Sequence, residues 1–382
     1  MRVLIMVHSL TGGGAERVAS LWATGFQQRG HEVGMILNCN THTPVTYKIP
    51  ATVKMYNLCT NEIIAWGTGK LYSKLHIDYY YVCKIKKIIS EYQPDVIICV
   101  LHPWAEWTRK ATTGLNIPII NTEHNSFERP KDSELTKMMW QQKYEWNKRY
   151  DHVTVLTNAD KLCVNKVLSN VSVLPNPLVY TPISHLPNKE KIILAAGRLD
   201  AWHVKGFDLL IKAWSKLSKN YSEWKLQIAG NSKGLGKEYL QSIASELNLG
   251  SQLEFIGYQN DMLPVYRRAS VFVLSSRYEG FGMVLIEAMS QGCASIACDY
   301  KGRQREIITS NQEGVICPAD DIDSLANAMQ AVISNEEYMN KLQLNAIERS
   351  KYFSLDNTMD RWESILKKVG VYNHNKKSEY PL

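Results

Sequence analysis

Long hydrophobic runs are missing from this sequence of 382 residues. No stretch of about 18 consecutive apolar residues occurs, so no transmembrane helix is predicted. The first residues, MRVLIMVHSLTGGG, contain too short an apolar stretch for a signal peptide and are more typical of a first β-strand. Tandem repeats are also absent, and biased composition is confined to the polar tail after Tyr372. The composition, with 45% hydrophobic and 21% charged residues, is that of a globular protein.

Paired cysteines and metal-binding patterns are missing too. The eight cysteines include no CxxC pair, and several fall inside predicted strands. Buried free thiols in a reducing compartment are therefore the simplest interpretation. No DxD motif and no carboxylate–histidine cluster has convincing metal-ligand spacing, so neither a metal nor another cofactor is predicted.

Acidic residues are in the minority, and the imbalance is uneven along the chain. The net charge is +7, and residues 1–185 contribute +6 of it, from 20 basic and 14 acidic side chains. A basic first half favours an anionic partner. No nucleic-acid-binding motif accompanies the charge, so no nucleic-acid partner is predicted. An anionic membrane surface or a pyrophosphate-bearing acceptor fits the charge equally well.

Twelve short apolar runs predict β-strands. Most are continuous rather than alternating, as in strands buried on both faces of a parallel sheet. Helical patterns lie between many of them, and this alternation predicts two doubly wound α/β domains. The runs in the first half are Val3–Val7, Val33–Leu37, Val96–Val100, Ile117–Asn121, Val153–Leu156 and Val171–Leu174. Those in the second half are Ile192–Ala196, Leu226–Ala229, Leu253–Ile256, Val271–Leu274, Ala294–Ala297 and Gly314–Ile316.

A proline-rich stretch, LPNPLVYTPISHLPNK, separates the two sets of strands. Its prolines suit an extended, semi-rigid connection. The sequence therefore predicts a first Rossmann-like domain over residues 1–180 and a second over residues 186–354.

The stretch Ser275–Gly292, SSRYEGFGMVLIEAMSQG, combines a strand end, a glycine turn and a helix start. Gly280 and Gly282 let the backbone turn tightly and approach a ligand. A helix that begins near Met283 would aim free N–H groups and a positive dipole end at an anion. This arrangement favours a phosphate-binding site.

Two glutamates in this stretch, Glu279 and Glu287, need a different partner because a carboxylate repels phosphate. Carboxylates are good acceptors for vicinal hydroxyl groups. The alternative is a loop glutamate and a helical glutamate that interact only with the helix dipole. Phosphate donors beside hydroxyl acceptors favour a site for a sugar nucleotide.

The run Glu279-GFGMVLI-Glu287 resembles the Glu-x7-Glu signature of the retaining glycosyltransferases of family 4, which have the GT-B fold. By this resemblance Glu287 would hold the ribose hydroxyls and Glu279 those of the transferred sugar. The backbone of Phe281, Gly282 and Met283 would lie close to the donor.

The resemblance covers nearly the whole chain and implies two doubly wound domains that face each other across a cleft. The acceptor would bind to the first and the nucleotide-sugar to the second, and a last helix at about 355–370 would pack back on the first.

Two cations follow the first strand of the second domain. Arg198 can bind a phosphate with two parallel hydrogen bonds, and Lys205 supplies a compact charge. The pattern resembles the GRL…KG donor motif of the family, although Trp202 and His203 lengthen its interval. The alternative is a pair of solvated surface charges. Gly257, at a later strand end, is predicted to line the nucleobase pocket.

The loop after the first strand, SLTGGGAER, also resembles its counterpart in family 4. There the glycine backbone faces the donor diphosphate and the acceptor. By this resemblance Gly13 and Gly14 would contact the donor and Glu16 the acceptor. A simple tight turn before a helix is the alternative. A nicotinamide site is disfavoured because the GxGxxG fingerprint is absent.

Two histidines follow strands of the first domain. His102 is predicted to contact the acceptor, with Trp104 or Trp107 stacking on a sugar ring. His124 resembles a family histidine that hydrogen-bonds the transferred sugar near the reacting centre. Both could instead be structural histidines.

The segment from residue 72 to residue 87, YSKLHIDYYYVCKIKK, interleaves aromatic residues with lysines. As a helix it would bury Tyr72, Leu75, Tyr79 and Val82. An ordinary amphipathic helix is the simpler interpretation, and contact with an anionic bilayer is the functional one.

These observations predict a metal-independent, retaining hexosyl- or N-acetylhexosaminyltransferase. The donor would be a UDP-hexose or UDP-N-acetylhexosamine, and the acceptor a hydroxyl of a glycan or lipid-linked oligosaccharide. A role in surface polysaccharide synthesis is implied, in the cytoplasm or at the inner face of the membrane. The alternatives are a sugar-nucleotide epimerase or a phosphorylase of the same fold, and a non-catalytic sugar-binding module.

Overall fold

The computed structural model describes residues 1–39, 43–58, 70–101, 104–128 and 134–371, without the side chains of 70–77, 105 and 134–140. The chain divides into two compact units. The first comprises Met1–Pro177 together with the segment from Leu355 onward, and the second comprises Leu178–Ser354.

The first unit is built on a seven-stranded parallel sheet in the order β3-β2-β1-β4-β5-β6-β7. Its strands are β1 Arg2–Val7, β2 Glu32–Leu37, β3 Lys54–Asn57, β4 Val96–Val100, β5 Ile119–Thr122, β6 His152–Val155 and β7 Val171–Val173. Its helices up to this point are α1 Gly14–Gln28, α2 Lys70–Tyr92, α3 Trp104–Ala111, α4 Glu134–Asn147 and α5 Asn158–Val164. The six predicted strands are confirmed, and β3 is an additional edge strand.

The second unit has a six-stranded parallel sheet in the order β10-β9-β8-β11-β12-β13. Its strands are β8 Glu190–Ala196, β9 Lys225–Ala229, β10 Leu253–Gly257, β11 Ala269–Leu274, β12 Ala294–Asp299 and β13 Val315–Pro318. Its helices are α6 Trp202–Lys205, α7 Phe207–Ser215, α8 Gly236–Glu246, α9 Leu263–Arg268, α10 Met283–Ser290, α11 Ile322–Ile333 and α12 Glu336–Ser350. All six predicted strands are confirmed, and both units have the doubly wound α/β architecture.

Each sheet reverses its strand order at one place, between β1 and β4 in the first unit and between β8 and β11 in the second. Ligands of open α/β sheets bind beyond the carboxyl ends of the strands at such a reversal. The central strands are buried on both faces, because crossover helices cover both sides of each sheet. The topology thus gives each unit one preferred ligand-binding edge.

The last helix, α13 Leu355–Lys368, packs on α1 in the first unit. The Trp362 ring meets Trp22 edge to face at 5.1 Å between ring centroids. A Cβ atom on Gly25 would lie 2.5 Å from Met359 Sδ, so glycine lets the two helices approach. Arg29, at the end of α1, forms ion pairs with acidic side chains of α13. These are Asp360 at 2.8 Å and Glu363 at 2.9 Å.

Helix α2 covers the predicted segment of mixed aromatic and basic residues, but its buried face differs from the predicted one. Tyr79 is 73% exposed, so its assignment to the core was wrong, and Val82 is only partly buried. Tyr72 and Leu75 fall among the residues whose side chains the structure does not describe. The buried face instead comprises Tyr81, Ile85, Ile88, Ile89 and Tyr92. Lys86 and Lys87 are exposed on the opposite face.

In the described parts of the chain, no helix combines the length and the apolar character needed to cross a bilayer.

Candidate functional site

Two predicted segments of the site meet at the strand-order reversal of the second sheet. Gly197 and Arg198 directly follow β8, and the stretch from Ser275 to Gly282 directly follows β11. The two strands are parallel neighbours, so their carboxyl ends lie at the same edge of the sheet. The fold therefore brings together residues that are about 80 positions apart in the sequence.

An ion pair joins Lys205, which follows β8, to Glu279, which follows β11. Lys205 Nζ lies 2.7 Å from Glu279 Oε2, and the side chains are 23% and 17% exposed. Ser276 Oγ also donates to Glu279 Oε2, at 3.3 Å. The insertion of Trp202 and His203 forms the short helix α6, which ends at Lys205. The longer interval is thus accommodated as a helical turn, and Lys205 is placed against Glu279.

Arg198 differs from Lys205 in having no partner in the part of the chain that the structure describes. Its side chain is exposed, and within the described ranges no acceptor forms a hydrogen bond or ion pair with its guanidinium group. Its backbone begins a short 3-10 turn at the end of β8. Among the described residues, Lys205 is therefore paired with Glu279 whereas Arg198 has no protein partner, and the three side chains together carry a net charge of +1.

Glycine shapes both segments of this site. Gly206 has φ = +64°, and a Cβ atom there would lie 1.9 Å from Ser275 O, so the two backbones touch. Gly282 has φ = +102° and precedes α10, which begins at Met283 as predicted. The Phe281 side chain is buried, and its ring meets that of Phe353 at 5.7 Å. The backbone after Gly282 presents a helix N-terminus, which carries partial positive charge.

Glu287 lies on α10 and is almost completely buried, at 3% exposure. Its Oε2 accepts a hydrogen bond from the Tyr266 hydroxyl at 3.0 Å. Burial, reinforced by the Glu287 charge, raises the pKa of Tyr266 well above its usual value, so the tyrosine stays protonated and remains a donor. Tyr266 was not identified from the sequence, although it precedes β11 by only a few residues. Its hydroxyl group holds one carboxylate oxygen of Glu287, the residue predicted to bind the ribose.

Gly257 is the last residue of β10 and has φ = +70°. Its carbonyl oxygen accepts from Gly230 N at 2.8 Å, which ties two neighbouring strand ends together. Tyr258 follows and is 64% exposed. The contact with a nucleobase stays a prediction.

The glycine loop of the first unit lies at the reversal of the first sheet. Gly13 is the extended residue before α1, which begins at Gly14. Glu16 is engaged within the loop: Gly12 N donates to its Oε2 at 2.9 Å, and Ser9 Oγ donates to its Oε1. The carboxylate therefore shapes the turn, and its predicted contact with an acceptor stays a prediction.

A pocket of about 140 Å³ opens beside this loop. It lies at the carboxyl ends of β1 and β4, and its lining residues are Val7, His8, Ala15, Glu16, Asn38, Val100, Leu101, Trp104 and Trp107. The pocket therefore lies at the strand-order reversal, the place where ligands of open α/β sheets bind.

The two tryptophans of this pocket are less available for sugar stacking than the sequence suggested. Trp104 is buried at 2% exposure. Trp107 stacks on Tyr81 at 4.1 Å between ring centroids, and its Nε1 donates to Asp78 at 2.7 Å. Residue His102, predicted to contact the acceptor, lies outside the described residues.

His124 follows β5, and both of its ring nitrogens have partners in the first unit. Nδ1 lies 3.2 Å from Asn176 Oδ1, and Nε2 lies 3.1 Å from Thr122 Oγ1. The neighbouring Glu123 pairs with Lys143 at 2.9 Å, with side-chain exposures of 1% and 10%. This buried network fixes the loop that carries the histidine. The predicted contact of His124 with the sugar stays a prediction.

The protonation of His124 gives a testable pH dependence. Burial lowers its pKa to about 4, against a weaker opposing effect of Glu123. A histidine in the unfolded chain has a pKa of about 6.5. The unfolded state thus binds more protons between these values, and stability is lost as the pH falls through this window. Between neutral pH and about pH 4.5, the unfolding free energy should fall in both proteins. The fall should be about 2 kcal/mol larger in the wild type than in His124→Asn.

Urea unfolding at both pH values measures this difference. His185→Asn, at an exposed position of the second unit, is the matched control for the loss of a histidine side chain. If the unfolding free energy of His124→Asn fell as much in acid as that of the wild type, His124 would not have the lowered pKa.

Arg303 and Arg305 follow β12 in the sequence. Phosphate contacts and ordinary surface charges are the two interpretations of these arginines, and the sequence favours surface charges for both. For Arg305 the structure agrees: it is 65% exposed and pairs with Asp299 at 2.8 Å. For Arg303 the interpretation was wrong, because the residue is completely buried and its guanidinium lies 5.3 Å from the centre of the Tyr300 ring. The short turn that follows β12 folds Arg303 inward.

One further charged residue of the second unit was missed. Arg277 lies between Ser276 and Tyr278 and binds Asp208 with two hydrogen bonds of 2.7 Å each. Its place at a strand end beside Glu279 was the only signal in the sequence. In the described part of the chain, no group of three or more His, Cys, Asp and Glu side chains could hold a metal ion.

Two family models match the chain, one for each half. Residues 12–178 match the family described as "Glycosyltransferase Family 4", and residues 180–349 match "Glycosyl transferases group 1". The second match contains Arg198, Lys205, Glu279 and Glu287.

Similar proteins cover nearly the full length. A Campylobacter jejuni relative, named GalNAc-alpha-(1->4)-GalNAc-alpha-(1->3)-diNAcBac-PP-undecaprenol alpha-1,4-N-acetyl-D-galactosaminyltransferase, is 28% identical over 97% of this chain and 99% of its own. The sucrose-phosphate synthase from Thermosynechococcus elongatus superposes with a TM-score of 0.77 at 21% identity, over 96% of this chain and 98% of its own. Anabaena HepE, solved in complex with UDP and glucose, gives 0.74 at 18% identity, over 96% and 99%.

Proposed function

Because this chain belongs to the family 4 glycosyltransferases and has the GT-B fold, we propose that it transfers a sugar from a nucleoside diphosphate to a hydroxyl acceptor with retention of configuration. One observation carries the assignment of the donor site. A phosphate-binding cation, Lys205, and a carboxylate for sugar hydroxyls, Glu279, lie 2.7 Å apart at the strand-order reversal. A second cation, Arg198, lies at the end of β8, the strand that also precedes Lys205.

The main catalytic task is to stabilise the charge that develops on the leaving β-phosphate. Arg198 would donate two parallel hydrogen bonds to it. Lys205 and the N-terminus of α10 add positive charge at fixed positions. Because Lys205 is partly neutralised by Glu279, Arg198 supplies most of the net charge. The proposed mechanism assigns this charge stabilisation to protein groups and to no metal ion.

The carboxylates would orient the donor rather than attack it. Glu279 accepts hydrogen bonds from hydroxyl groups of the transferred sugar, and Glu287 accepts hydrogen bonds from the ribose hydroxyls. The incoming acceptor hydroxyl would attack the anomeric carbon from the face of the leaving group. The bond to the diphosphate breaks, and the departing phosphate oxygen takes the proton of the attacking hydroxyl. No protein nucleophile takes part.

The relatives suggest the substrate classes. HepE is named in complex with UDP and glucose, which supports a UDP-hexose donor. The Campylobacter relative is named an N-acetyl-D-galactosaminyltransferase, which supports a UDP-N-acetylhexosamine donor instead. The Campylobacter enzyme is named for an undecaprenol-linked glycan and an α linkage, which supports a lipid-linked oligosaccharide acceptor in surface polysaccharide synthesis. A lipid-linked acceptor would draw the enzyme to the inner face of a membrane, where the exposed Lys86 and Lys87 of α2 could contact anionic lipid.

A thermal-shift screen of nucleotide-sugars, followed by product analysis of the stabilising ones, tests the proposal. We expect one UDP-sugar to raise Tm and to release UDP when a lipid-linked glycan is added. Conversion of the donor to an isomeric UDP-sugar without acceptor would instead identify an epimerase. Stabilisation without any product would identify a sugar-binding module.

Tyr266→Phe tests the ribose contact of Glu287. The variant loses the 3.0 Å hydrogen bond to Oε2, so the carboxylate is held less firmly. The Kd for UDP is expected to rise about two- to tenfold, whereas the Kd for 2′,3′-dideoxy-UDP should stay unchanged. Isothermal titration calorimetry measures both values.

The control for this variant is Tyr338→Phe, at the start of α12 in the same unit. It should bind both nucleotides as wild type does. If Tyr266→Phe weakened both nucleotides equally, Glu287 would not recognise the ribose hydroxyls.

A further inference from the structure

We propose that Arg277 is a positioning residue of the donor site, which fastens the turn that carries Lys205 to the loop that carries Glu279. This proposal rests on the proposed function of Lys205 as a contact of the diphosphate. Arg277 belongs to the loop after β11, whereas Lys205 ends α6, some 70 residues earlier in the sequence. The geometry joins the two segments at several points.

The guanidinium group makes the strongest of these connections. Its Nη1 and Nη2 donate to Asp208 Oδ1 and Oδ2 at 2.7 Å each, and Asp208 lies in the first turn of α7. Nη1 also donates to His203 O at 2.8 Å, and Nε donates to Asp320. One side chain thus bridges α6, α7 and the loop after β13.

Backbone contacts reinforce the same connection on both sides of Lys205. Arg277 N donates to Val204 O at 3.0 Å, and Ser275 Oγ donates to Lys205 O at 2.9 Å. Gly206, directly after the lysine, touches the backbone of Ser275. The main chain of Lys205 is therefore held by the loop that supplies its side-chain partner, Glu279.

The arrangement argues for positioning rather than for direct contact with phosphate. All three guanidinium nitrogens of Arg277 already donate to protein acceptors. The Arg277 and Asp208 side chains are only 15% and 8% exposed, so the pair is largely withdrawn from water. A rigid two-pronged contact of this kind fixes orientation, and lysine cannot reproduce it.

The test compares the affinities of UDP and UMP, because the proposed Lys205 contact needs the second phosphate. In Arg277→Gln the UDP affinity is expected to fall about tenfold to a hundredfold, with little change for UMP. Arg268→Gln is the matched control, since Arg268 forms an exposed ion pair with Glu190 at 3.2 Å. It should keep the wild-type ratio of UDP to UMP affinity.

A double variant separates positioning from loss of stability. Arg277→Gln leaves the Asp208 charge buried and unpaired, so its Tm should fall, and it could fail to fold. Arg277→Gln with Asp208→Asn removes both charges and should recover much of the Tm. We expect the ratio of UDP affinity to UMP affinity in the double variant to stay below the wild-type ratio. A wild-type ratio in a folded double variant would overturn the proposal and leave the pair a purely structural role.

Lys205→Ala distinguishes failure of this proposal from failure of the proposed function. If Lys205→Ala lowers the UDP:UMP ratio and the Arg277 variants do not, Lys205 contacts the diphosphate but Arg277 does not position it. If Lys205→Ala leaves the ratio unchanged, the proposed role of Lys205 is wrong, and the positioning proposal fails with it.

Discussion

Replacement of Arg198 by alanine is expected to lower turnover about 10²-fold or more, with little loss of stability. The guanidinium group is exposed at the end of β8 and, among the described residues, has no protein partner, so the fold should not depend on it. Its proposed partner is the leaving diphosphate, whose charge grows as the glycosidic bond breaks. The measurement is the rate of UDP release from the donor that the thermal-shift screen identifies.

Arg268→Ala is the matched control for this experiment. It removes an exposed arginine from the same unit, at the end of α9, and should leave turnover unchanged. Near-normal turnover in Arg198→Ala would remove the main charge-stabilising group from the mechanism. Loss of turnover together with a large fall in Tm would point to an unexpected structural role.

Glu279→Gln is expected to separate sugar transfer from nucleotide binding. The amide keeps the shape of the side chain but loses the charge that accepts sugar hydroxyls and pairs with Lys205 at 2.7 Å. Turnover should fall about tenfold to a hundredfold. The affinity for UDP should be unchanged or higher, because Lys205 is released to face the diphosphate. Steady-state kinetics and calorimetry with UDP measure the two effects.

Glu223→Gln provides the corresponding control. It breaks an exposed ion pair with Lys191, 3.3 Å long, in the same unit, and both turnover and UDP affinity should match wild type. A Glu279→Gln variant that lost UDP affinity as strongly as turnover would contradict the assignment of this carboxylate to the sugar.

Much of the fold could be predicted because most of its strands are buried on both faces. Runs such as Val96–Val100 and Val271–Leu274 are continuously apolar and stand out in the sequence. The strand that was missed, Lys54–Asn57, is an edge strand with partly exposed residues. Its pairing with β2 depends on tertiary structure, so the local pattern of apolar residues does not predict it.

The site was predictable only where local sequence carries the chemistry. Glu279, Glu287 and the glycine turn lie within one short segment, so their spacing could be read directly. The bonds that hold them come from elsewhere in the chain: Tyr266 reaches Glu287, and Asp208 reaches Arg277. Such long-range partners depend on strand order.

Burial could not be judged from the residue type alone. Arg303 was expected at the surface and is completely buried. Tyr79 was expected in the core and is exposed, because the buried stripe of α2 runs through Tyr81 and Ile85. In both cases the packing of neighbouring elements decides which side faces inward.

A crystal structure with UDP tests the central claim most directly. The account predicts the diphosphate against Arg198 and Lys205 near the start of α10, with the ribose hydroxyls on Glu287. A nucleotide bound elsewhere, with Arg198 and Glu287 free of contact, would contradict it.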